Sequence, residues 1–336
     1  HLVIRAGAGT NTIALDAAAR SAVYVANCPG KNAVAVAELT MGLVLALDRA
    51  IPDNVTSLRS GQWEKGRFSS GRGLLGRRMG IVGYGRIGQE VAARARAFGM
   101  EVSSFSADLD PDRARELGID HCASVLELAS SCDAISVHVP LMDATRHLID
   151  KEVFAAMKPG TLFVHAARGG VVDDEAMREA VASGHIRAAS DVFEDEPKGG
   201  TAAYEGIFQD VDGFYGTHHI GASTAQAQEA IGDEVLRIVE HWKSTGEVLN
   251  CVNASDRAPA EGQLLVRHLD RVGVLATVLD VLKEAQISVK GMRNAIFDET
   301  GSAVASMSLD KAPGEETLEA IRARCEDVLS LVWTPR

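Results

Sequence analysis

The segment GIVGYGRIG, residues 80–88, limits the possible fold more than any other part of this 336-residue chain. Gly83, Gly85 and Gly88 form a G-x-G-x-x-G pattern between a strand-like run and a helical run that extends to about Phe98. Glycines at this spacing allow a tight turn and a close approach of the backbone to a pyrophosphate at the helix N-terminus. The triplet alone is a weak signal, but its flanking strand and helix favour a dinucleotide-binding turn.

Strand-like and helical runs alternate on both sides of this turn. The predicted elements are strands over residues 79–82, 101–105, 134–139, 161–164 and 188–193 and helices over residues 86–98, 174–183 and 224–242. Such alternation predicts a parallel, doubly wound α/β sheet. Beyond Asn250 the order becomes strand, helix, two strands, helix and strand over residues 264–333, which predicts a ferredoxin-like α+β unit.

Composition argues against several classes of partner. The formal net charge is −12 and no basic run is present, whereas nucleic acids and anionic membranes require an excess of Lys and Arg. The five scattered cysteines contain no C-x-x-C pair, so we predict no metal site and no disulfide framework, and we expect a reducing, cytoplasmic compartment. The apolar run 33–47 is shorter than the ~20 residues of a membrane span, and it predicts a buried or interface helix.

Arg168 follows a predicted strand in VHAARGGVVDDEAM, residues 164–177. An arginine at the carboxyl edge of a parallel sheet can donate two hydrogen bonds to a substrate carboxylate and polarise the adjacent carbonyl. The alternative is an ion pair with Asp173 or Asp174 that only ties down the loop.

Two adjacent histidines, His218 and His219, stand in FYGTHHIGAST, residues 214–224. Histidine can accept a hydroxyl proton near neutral pH, and a neighbouring carboxylate would orient its ring. Spacing does not choose among the acids of the upstream segment DVFEDEP, which are Asp191, Glu194, Asp195 and Glu196. Adjacent side chains of an extended segment point to opposite sides, so at most one imidazole faces a cofactor crevice.

The strand after the glycine turn ends without the usual acid that binds the adenosine ribose. Ser106 stands at the strand end, and Asp108 follows two residues later. Asp108 would favour NAD if it folds back, whereas Ser106 would not repel the 2′-phosphate of NADP. NAD is the expected cofactor, and NADP is not excluded.

Taken together, GRIG, AARGGVVDDEAM, DVFEDEP and HHIGAST, in this order and at these separations, resemble the D-2-hydroxyacid dehydrogenase family. The resemblance extends over RAGAGTNTIALDAAAR, NAVAVAELTMG and SGQWEKGRF, from His1 to about Asn250, while LLVRHLDRVGVLATVL and MRNAIF resemble an ACT regulatory domain. It implies a flavodoxin-like substrate-binding domain (1–35 and 222–250), a Rossmann dinucleotide-binding domain (36–221), a linker (251–262) and an ACT-like domain (263–336).

The resemblance also implies roles for individual residues. Arg168 would hold the substrate carboxylate and C2 oxygen, and His219, paired with Glu196, would be the catalytic acid/base. The implied contacts to NAD are Gly83, Gly85, Arg86, Ile87, Gly88, Ser106, Val139, Pro140, Ala166, Ala167, Arg168, Asp191, His219, Gly221 and Ala222. The implied substrate contacts are Arg5, Ala6, Gly7, Ala8, Arg168 and His219.

Several positions depart from the family pattern. His165 stands in place of the usual asparagine, and Ser106 in place of the usual aspartate. In the ACT-like part, His268 and Asp270 stand where a serine-binding version has His and Asn, so an amino-acid effector is a hypothesis. The part of the substrate domain that carries phosphate-binding basic residues is expected upstream of His1.

Three functions follow from the resemblance as hypotheses. The first is NAD-linked oxidation of 3-phospho-D-glycerate, the entry to serine biosynthesis. The second is NAD(P)-dependent reduction of glyoxylate or hydroxypyruvate, and the third is dinucleotide sensing without turnover. A homodimer or homotetramer is expected, with the apolar helix 33–47 and Trp63 at the contact.

Overall fold

The computed structural model describes residues 1–10, 12–197, 201–254, 259–297 and 300–336. These residues form two compact units, His1–Cys251 and Val252–Arg336. The predicted linker, 251–262, lies partly outside the described residues. No helix in the described ranges is long and apolar enough to cross a membrane.

The first unit contains nine strands and nine α-helices within the described residues. The strands are β1 (Leu2–Arg5), β2 (Tyr24–Asn27), β3 (Arg78–Val82), β4 (Glu101–Phe105), β5 (Asp120–His121), β6 (Ala134–Val137), β7 (Thr161–His165), β8 (Ile186–Ser190) and β9 (Phe214–Gly216). The helices are α1 (Leu15–Arg20), α2 (Ala33–Arg49), α3 (Ile51–Arg59), α4 (Arg86–Ala97), α5 (Pro111–Glu116), α6 (Val125–Ser131), α7 (Lys151–Ala156), α8 (Asp174–Ala182) and α9 (Ala225–Thr245).

Seven of these strands form one sheet in the order β5-β4-β3-β6-β7-β8-β9, and every pairing is parallel. This arrangement confirms the predicted parallel, doubly wound sheet. Strands β6 and β7 are buried along their whole length, as expected for strands covered by helices on both faces. The carboxyl ends of parallel strands meet at one edge, so the loops that follow β3, β6, β7 and β8 converge there.

Two predicted strands end earlier than expected. The predicted strand 134–139 ends at Val137, and the predicted strand 188–193 is displaced to Ile186–Ser190. The His138 amide still donates to the Val82 carbonyl of β3 at 2.8 Å, but Pro140 has no amide hydrogen with which to continue the ladder. The Asp191 amide still donates to the His165 carbonyl of β7 at 2.9 Å, and the chain turns away from the sheet after it, with the Ser190 hydroxyl donating to the Val192 carbonyl at 2.6 Å.

A separate two-stranded parallel sheet, β1 and β2, packs against α9. The small sheet and α9 share a core that contains Ala26 of β2, Cys28 directly after β2, and Ile231 and Ile238 of α9. All four are at most 5% exposed. The helix predicted over residues 224–242 therefore buries one apolar face. The helix connects the end of the seven-stranded sheet to the small sheet.

The second unit has the predicted element order. Its elements are β10 (Gly262–Leu269), α10 (Val274–Glu284), β11 (Val289–Phe297), β12 (Ser302–Leu309), α11 (Glu315–Arg324) and β13 (Val328–Pro335). The strands form an antiparallel sheet in the order β11-β12-β10-β13. Its core includes Leu264, Val278, Met307 and Ile321, each fully buried.

Candidate active site

A cleft of about 780 Å³ lies where the loops after β6, β7 and β8 converge. Nine residues that the sequence predicted as site residues line it: Ala8, Ile87, Val139, Pro140, Ala166, Ala167, Arg168, Glu196 and His219. Nine others also line it: Gly9, Thr10, Asn32, Val36, His138, Leu141, Gly169, Phe193 and Glu194. The cleft therefore brings the three predicted catalytic residues together.

His219 and Glu196 form a hydrogen-bonded pair in this cleft. His219 Nδ1 lies 2.8 Å from Glu196 Oε2, and the Phe193 amide donates to Glu196 Oε1 at 3.1 Å. Because a carboxylate only accepts, Nδ1 carries the proton, which leaves Nε2 of the neutral ring as an acceptor toward the cleft. The exposed His218 is not part of the cleft lining.

The other acids of the DVFEDEP segment with described contacts have different partners. Glu194 Oε1 bonds to His147 Nε2. The Asp191 carboxylate is buried and accepts hydrogen bonds from the Thr217 hydroxyl and from the amides of Ile220 and Gly221. The implied contact of Asp191 with the cofactor stays a prediction.

Arg168 makes no ion pair with any described residue. Its Nη1 donates to the Ala167 carbonyl at 2.6 Å. The alternative loop-tying pair is wrong, because Asp173 caps α8 by accepting the Ala176 amide and Asp174 accepts the Glu194 amide at 3.0 Å. The guanidinium of Arg168 is thus available to an anionic ligand in the cleft.

His165 forms a hydrogen bond with the Arg168 backbone. Its Nε2 lies 3.1 Å from the Arg168 carbonyl oxygen, and the side chain is fully buried. Burial lowers the pKa of His165 to about 3, so the ring is neutral and donates from Nε2. The histidine at this position therefore supplies a hydrogen-bond donor to the Arg168 backbone.

The glycine turn fits a dinucleotide pyrophosphate. A Cβ added at Gly88 would lie 2.2 Å from the Gly83 carbonyl oxygen, which requires glycine for close packing of helix and strand. A Cβ added at Gly85 would meet no atom within 4 Å, so open space lies beside the turn. Helix α4 starts at Arg86 without a side-chain cap, which leaves its first amides available to an anion.

The remaining predicted cofactor contacts surround this turn and the His219 loop. The Gly83 amide donates to the Phe105 carbonyl at 2.8 Å, which holds the turn beside the strand end that carries Ser106. Gly221 is buried against Val36 of the cleft, and the Ala222 carbonyl accepts from Gln228. Arg86 donates to the Pro29 carbonyl.

The predicted substrate loop follows β1. Cys28 donates its amide to the Gly7 carbonyl at 2.9 Å, and Asn27 Nδ2 donates to the Ala8 carbonyl at 2.7 Å, so β2 fixes the loop. Ala8 reaches the cleft, whereas Arg5, Ala6 and Gly7 are not part of its lining. Arg5 Nη1 donates to the Ala6 carbonyl.

Sequence reasoning did not identify Thr10, Asn32, Val36 or His138 as site residues. Asn32 and Val36 lie at the start of α2, where the predicted domain boundary falls. A predicted domain boundary could have indicated that these residues line a ligand site, because ligand clefts often form between domains. His138 could have been found from its place directly before Val139 and Pro140.

The chain is similar in sequence to proteins named as dehydrogenases and reductases. It is 42% identical over 237 residues to the D-3-phosphoglycerate dehydrogenase of Methanocaldococcus jannaschii, covering 70% of this chain and 44% of that protein. It is 43% identical over 237 residues to the hydroxypyruvate reductase of Thermotoga maritima, covering 70% of this chain and 75% of that protein. The chain spans about half the length of the curated D-3-phosphoglycerate dehydrogenases it matches.

The structure is also similar to that of the NAD-dependent formate dehydrogenase from Staphylococcus aureus in complex with NAD, with a TM-score of 0.67, 31% identity and 76% coverage of each chain. Residues 41–221 match the profile of the D-isomer specific 2-hydroxyacid dehydrogenase, NAD binding domain. That range contains the glycine turn, Arg168, Glu196 and His219. The chain therefore belongs to the D-isomer specific 2-hydroxyacid dehydrogenases, and it contains their NAD-binding domain.

Proposed function

We propose that this chain is a D-3-phosphoglycerate dehydrogenase, which oxidises 3-phospho-D-glycerate to 3-phosphohydroxypyruvate in the first step of L-serine biosynthesis. The observation that carries the chemistry is the His219–Glu196 hydrogen bond in the cleft that also contains Arg168. The choice of substrate is supported by the relatives named D-3-phosphoglycerate dehydrogenase.

In this reaction each of the three residues has one task. NAD, when bound, supplies the acceptor for the hydride of C2. His219 Nε2 accepts the hydroxyl proton, while Glu196 holds the ring through Nδ1 and stabilises its charged form. Arg168 binds the carboxylate and the C2 oxygen, and thereby orients the substrate and stabilises charge on that oxygen.

A specific experiment tests the acid/base assignment, with a neighbouring histidine as control. His219→Ala should lower kcat at least ~100-fold, since general acid–base catalysis contributes about that much, and NAD binding should persist. His218→Ala, or proline at the same position, should leave kcat nearly unchanged. Unchanged turnover in His219→Ala would reject the assignment, and NAD binding without any turnover in the wild type would favour a dinucleotide-sensing protein.

A second candidate function is NAD(P)-dependent reduction of glyoxylate or hydroxypyruvate. Ser106 favours it, because serine does not repel the 2′-phosphate of NADP, and so does the relative named hydroxypyruvate reductase. Steady-state assays with both cofactors and with 3-phosphoglycerate, glyoxylate and hydroxypyruvate distinguish the two. Absence of turnover with the phosphorylated acid, together with turnover of an unphosphorylated one, rejects the first candidate.

The proposal includes a homo-oligomer in the cytoplasm. The apolar helix predicted at the contact, 33–47, instead packs most of its apolar side chains into the core of the first unit. Trp63 is 81% exposed, and Ile51 and Leu58 of α3 are 47% and 56% exposed, so the apolar surface suited to a second copy of the chain lies on and after α3. Light scattering should give a dimer or tetramer, and Leu58→Asp should reduce its mass. A monomeric wild type would contradict this part of the proposal.

The second unit is proposed to be an ACT-like domain that binds an amino acid. His268 is buried, with Nδ1 2.8 Å from the Leu269 carbonyl oxygen and Nε2 3.2 Å from Asn294 Oδ1. A thermal-shift assay with L-serine, compared with His268→Ala, tests this role. Equal shifts in both proteins would reject His268 as an effector ligand.

A further inference from the structure

We propose that Asp191 is a positioning residue that acts through His219, by holding the segment Thr217–Gly221 in the one conformation that presents the imidazole to Glu196. This inference rests on the proposed function of His219 as the acid/base. It goes beyond that function because it assigns the placement of the ring to a residue that does not contact it.

Asp191 accepts four hydrogen bonds from this segment. Its carbonyl oxygen accepts the His219 amide at 2.8 Å. Its carboxylate accepts the Thr217 hydroxyl at 2.6 Å and the Ile220 amide at 2.8 Å on Oδ1, and the Gly221 amide at 2.8 Å on Oδ2. Three successive backbone amides around the catalytic histidine therefore converge on one residue.

The conformation held in this way is unfavourable for histidine. His219 has φ = 53°, in the left-handed region that side chains other than glycine rarely adopt. Such a conformation persists only where the surrounding contacts over-determine it, and it is found mainly at functional sites. The amides on both sides of the His219 Cα are bound to Asp191, which accounts for the strained φ.

Asp191 is itself fixed to the rigid sheet. It directly follows β8, is 2% exposed, and donates its amide to the His165 carbonyl of β7 at 2.9 Å. A buried carboxylate needs hydrogen-bond donors, and here the protein supplies three. These bonds thus hold the His219 loop against the end of β8.

Asparagine at this position would break the arrangement while it keeps the shape. An amide side chain has one acceptor oxygen and one donor NH2, so its NH2 would face a backbone N–H of Ile220 or Gly221. The loop would lose at least one bond, and His219 could relax to negative φ. The ring would then leave its position beside Glu196.

A double-mutant cycle separates this role from a direct contact with the cofactor. In Asp191→Asn, kcat should fall about 10- to 100-fold. In a His219→Ala background, the same substitution should lower kcat less than about 3-fold, because the effects of residues that act through one another are not additive. The NAD dissociation constant, from fluorescence quenching, should change less than about 3-fold in Asp191→Asn. An equal loss of kcat in both backgrounds, or a large loss of NAD affinity, overturns the proposal.

Hydrogen exchange supplies a measurement that does not depend on turnover. The amides of residues 219–221 should exchange faster in Asp191→Asn than any fall in the midpoint of urea unfolding accounts for. Thr217→Val is the matched control, because it removes the hydroxyl bond and retains both amide bonds of the carboxylate, so exchange should stay nearly as in the wild type. Unchanged exchange in Asp191→Asn overturns the proposal, whereas an active His219→Ala variant overturns only the acid/base assignment.

Gly221→Ala provides a second variant in case Asp191→Asn does not fold. The added Cβ would lie 3.0 Å from Asp191 Oδ2, so it pushes the loop away from the carboxylate without removing the charge. Faster exchange of residues 219–221 is expected in this variant. Exchange as slow as in the wild type would contradict the proposed clamp.

Discussion

The space available for one Cβ atom at each glycine bears on whether the glycine turn can form and whether it can bind NAD. Gly88 and Gly85 stand in the same motif but have opposite surroundings. The position of a Cβ on Gly88 is occupied by the backbone oxygen of Gly83, whereas that of a Cβ on Gly85 is empty. Gly88 is therefore required by the fold, whereas we expect Gly85 to be required for NAD binding.

We expect the two alanine variants to separate these requirements. Gly88→Ala should lower the free energy of unfolding by about 1–3 kcal/mol, because overpacking against backbone forces a shift, and it should weaken NAD binding. Gly85→Ala, with φ of −74° that alanine accepts, should keep the stability of the apoprotein and lose NAD affinity. Urea unfolding and NAD titration measure the two effects, and equal stability losses would contradict the distinction.

A second residue-scale effect concerns Asp174. The side chain is buried, its Oδ2 accepts the Glu194 amide, and its Oδ1 has no described partner. Burial, with repulsion from Glu194, Asp173 and Asp195, raises the pKa of Asp174 from 3.8 to about 6. The folded state thus favours the protonated form, and the related stability is present below pH 4 and is lost as the pH rises through 6.

Asp174→Asn should therefore change the pH dependence of stability. Relative to the wild type, its free energy of unfolding should rise between pH 4 and pH 7 by up to about 3 kcal/mol, since one pKa unit corresponds to about 1.4 kcal/mol. Urea unfolding over this pH range measures the difference. Glu179→Gln, on the exposed side of the same helix, is the control, and parallel pH profiles of Asp174→Asn and wild type would refute the expectation.

At the scale of elements, one carboxylate connects three segments of the first unit. Glu234 of α9 is 4% exposed and binds Arg237 of the same helix at 2.6 Å, Asn250 after the helix at 2.7 Å, and Lys31 before α2 at 3.2 Å. The hydrogen bond to Arg237 contributes most to lowering the pKa of Glu234 to about 2. The pairs hold α9 against the segment that enters the cleft at Asn32.

Glu234→Gln should loosen this connection in a pH-dependent way. A lowered pKa contributes stability that is present above the ordinary value of 4.5 and is lost as the pH falls through 2. We expect a loss of about 1–2 kcal/mol at pH 7, reduced from the full shift because Arg237 is exposed to solvent, and no loss near pH 2. Chemical unfolding at both pH values, with Glu240→Gln as control, checks this; a constant loss would contradict it.

At the scale of the whole molecule, each hydrophobic core lies within one unit. The cluster around Leu264 contains only residues of the second unit, and the clusters under the seven-stranded sheet and α9 contain only residues of the first. Each unit therefore has the buried apolar side chains that an independent domain requires.

Leu264→Ala should consequently destabilise the second unit alone. Truncation of a fully buried leucine costs about 2–5 kcal/mol, so amides of β10–β13 should exchange faster. NAD affinity should stay at the wild-type value. Hydrogen exchange and NAD titration test the expectation, with the exposed Leu329→Ala as control, and a loss of NAD affinity in Leu264→Ala would contradict it.

The sequence by itself determined the elements whose signal is local. Period-2 and period-3.6 patterns identified the longer strands and helices, and the glycine spacing identified the turn, because these depend on residues close together in the chain. Eight described elements escaped prediction, namely α1, α3, α5, α6, α7, β2, β5 and β9. Six of them span only two to six residues, which contain too little periodicity; α3 and α6 are longer.

Only the tertiary structure decided how the acids near His219 are used. Reasoning from residues left four acids open, and the family resemblance pointed to Glu196; the fold places Glu196 against the ring and Asp191 against the backbone. It also showed that Asp173 and Asp174 serve backbone amides rather than Arg168. Spacing could not reveal this, because residues 23 to 30 positions apart meet through the parallel sheet and the turn after β9, which no local pattern encodes.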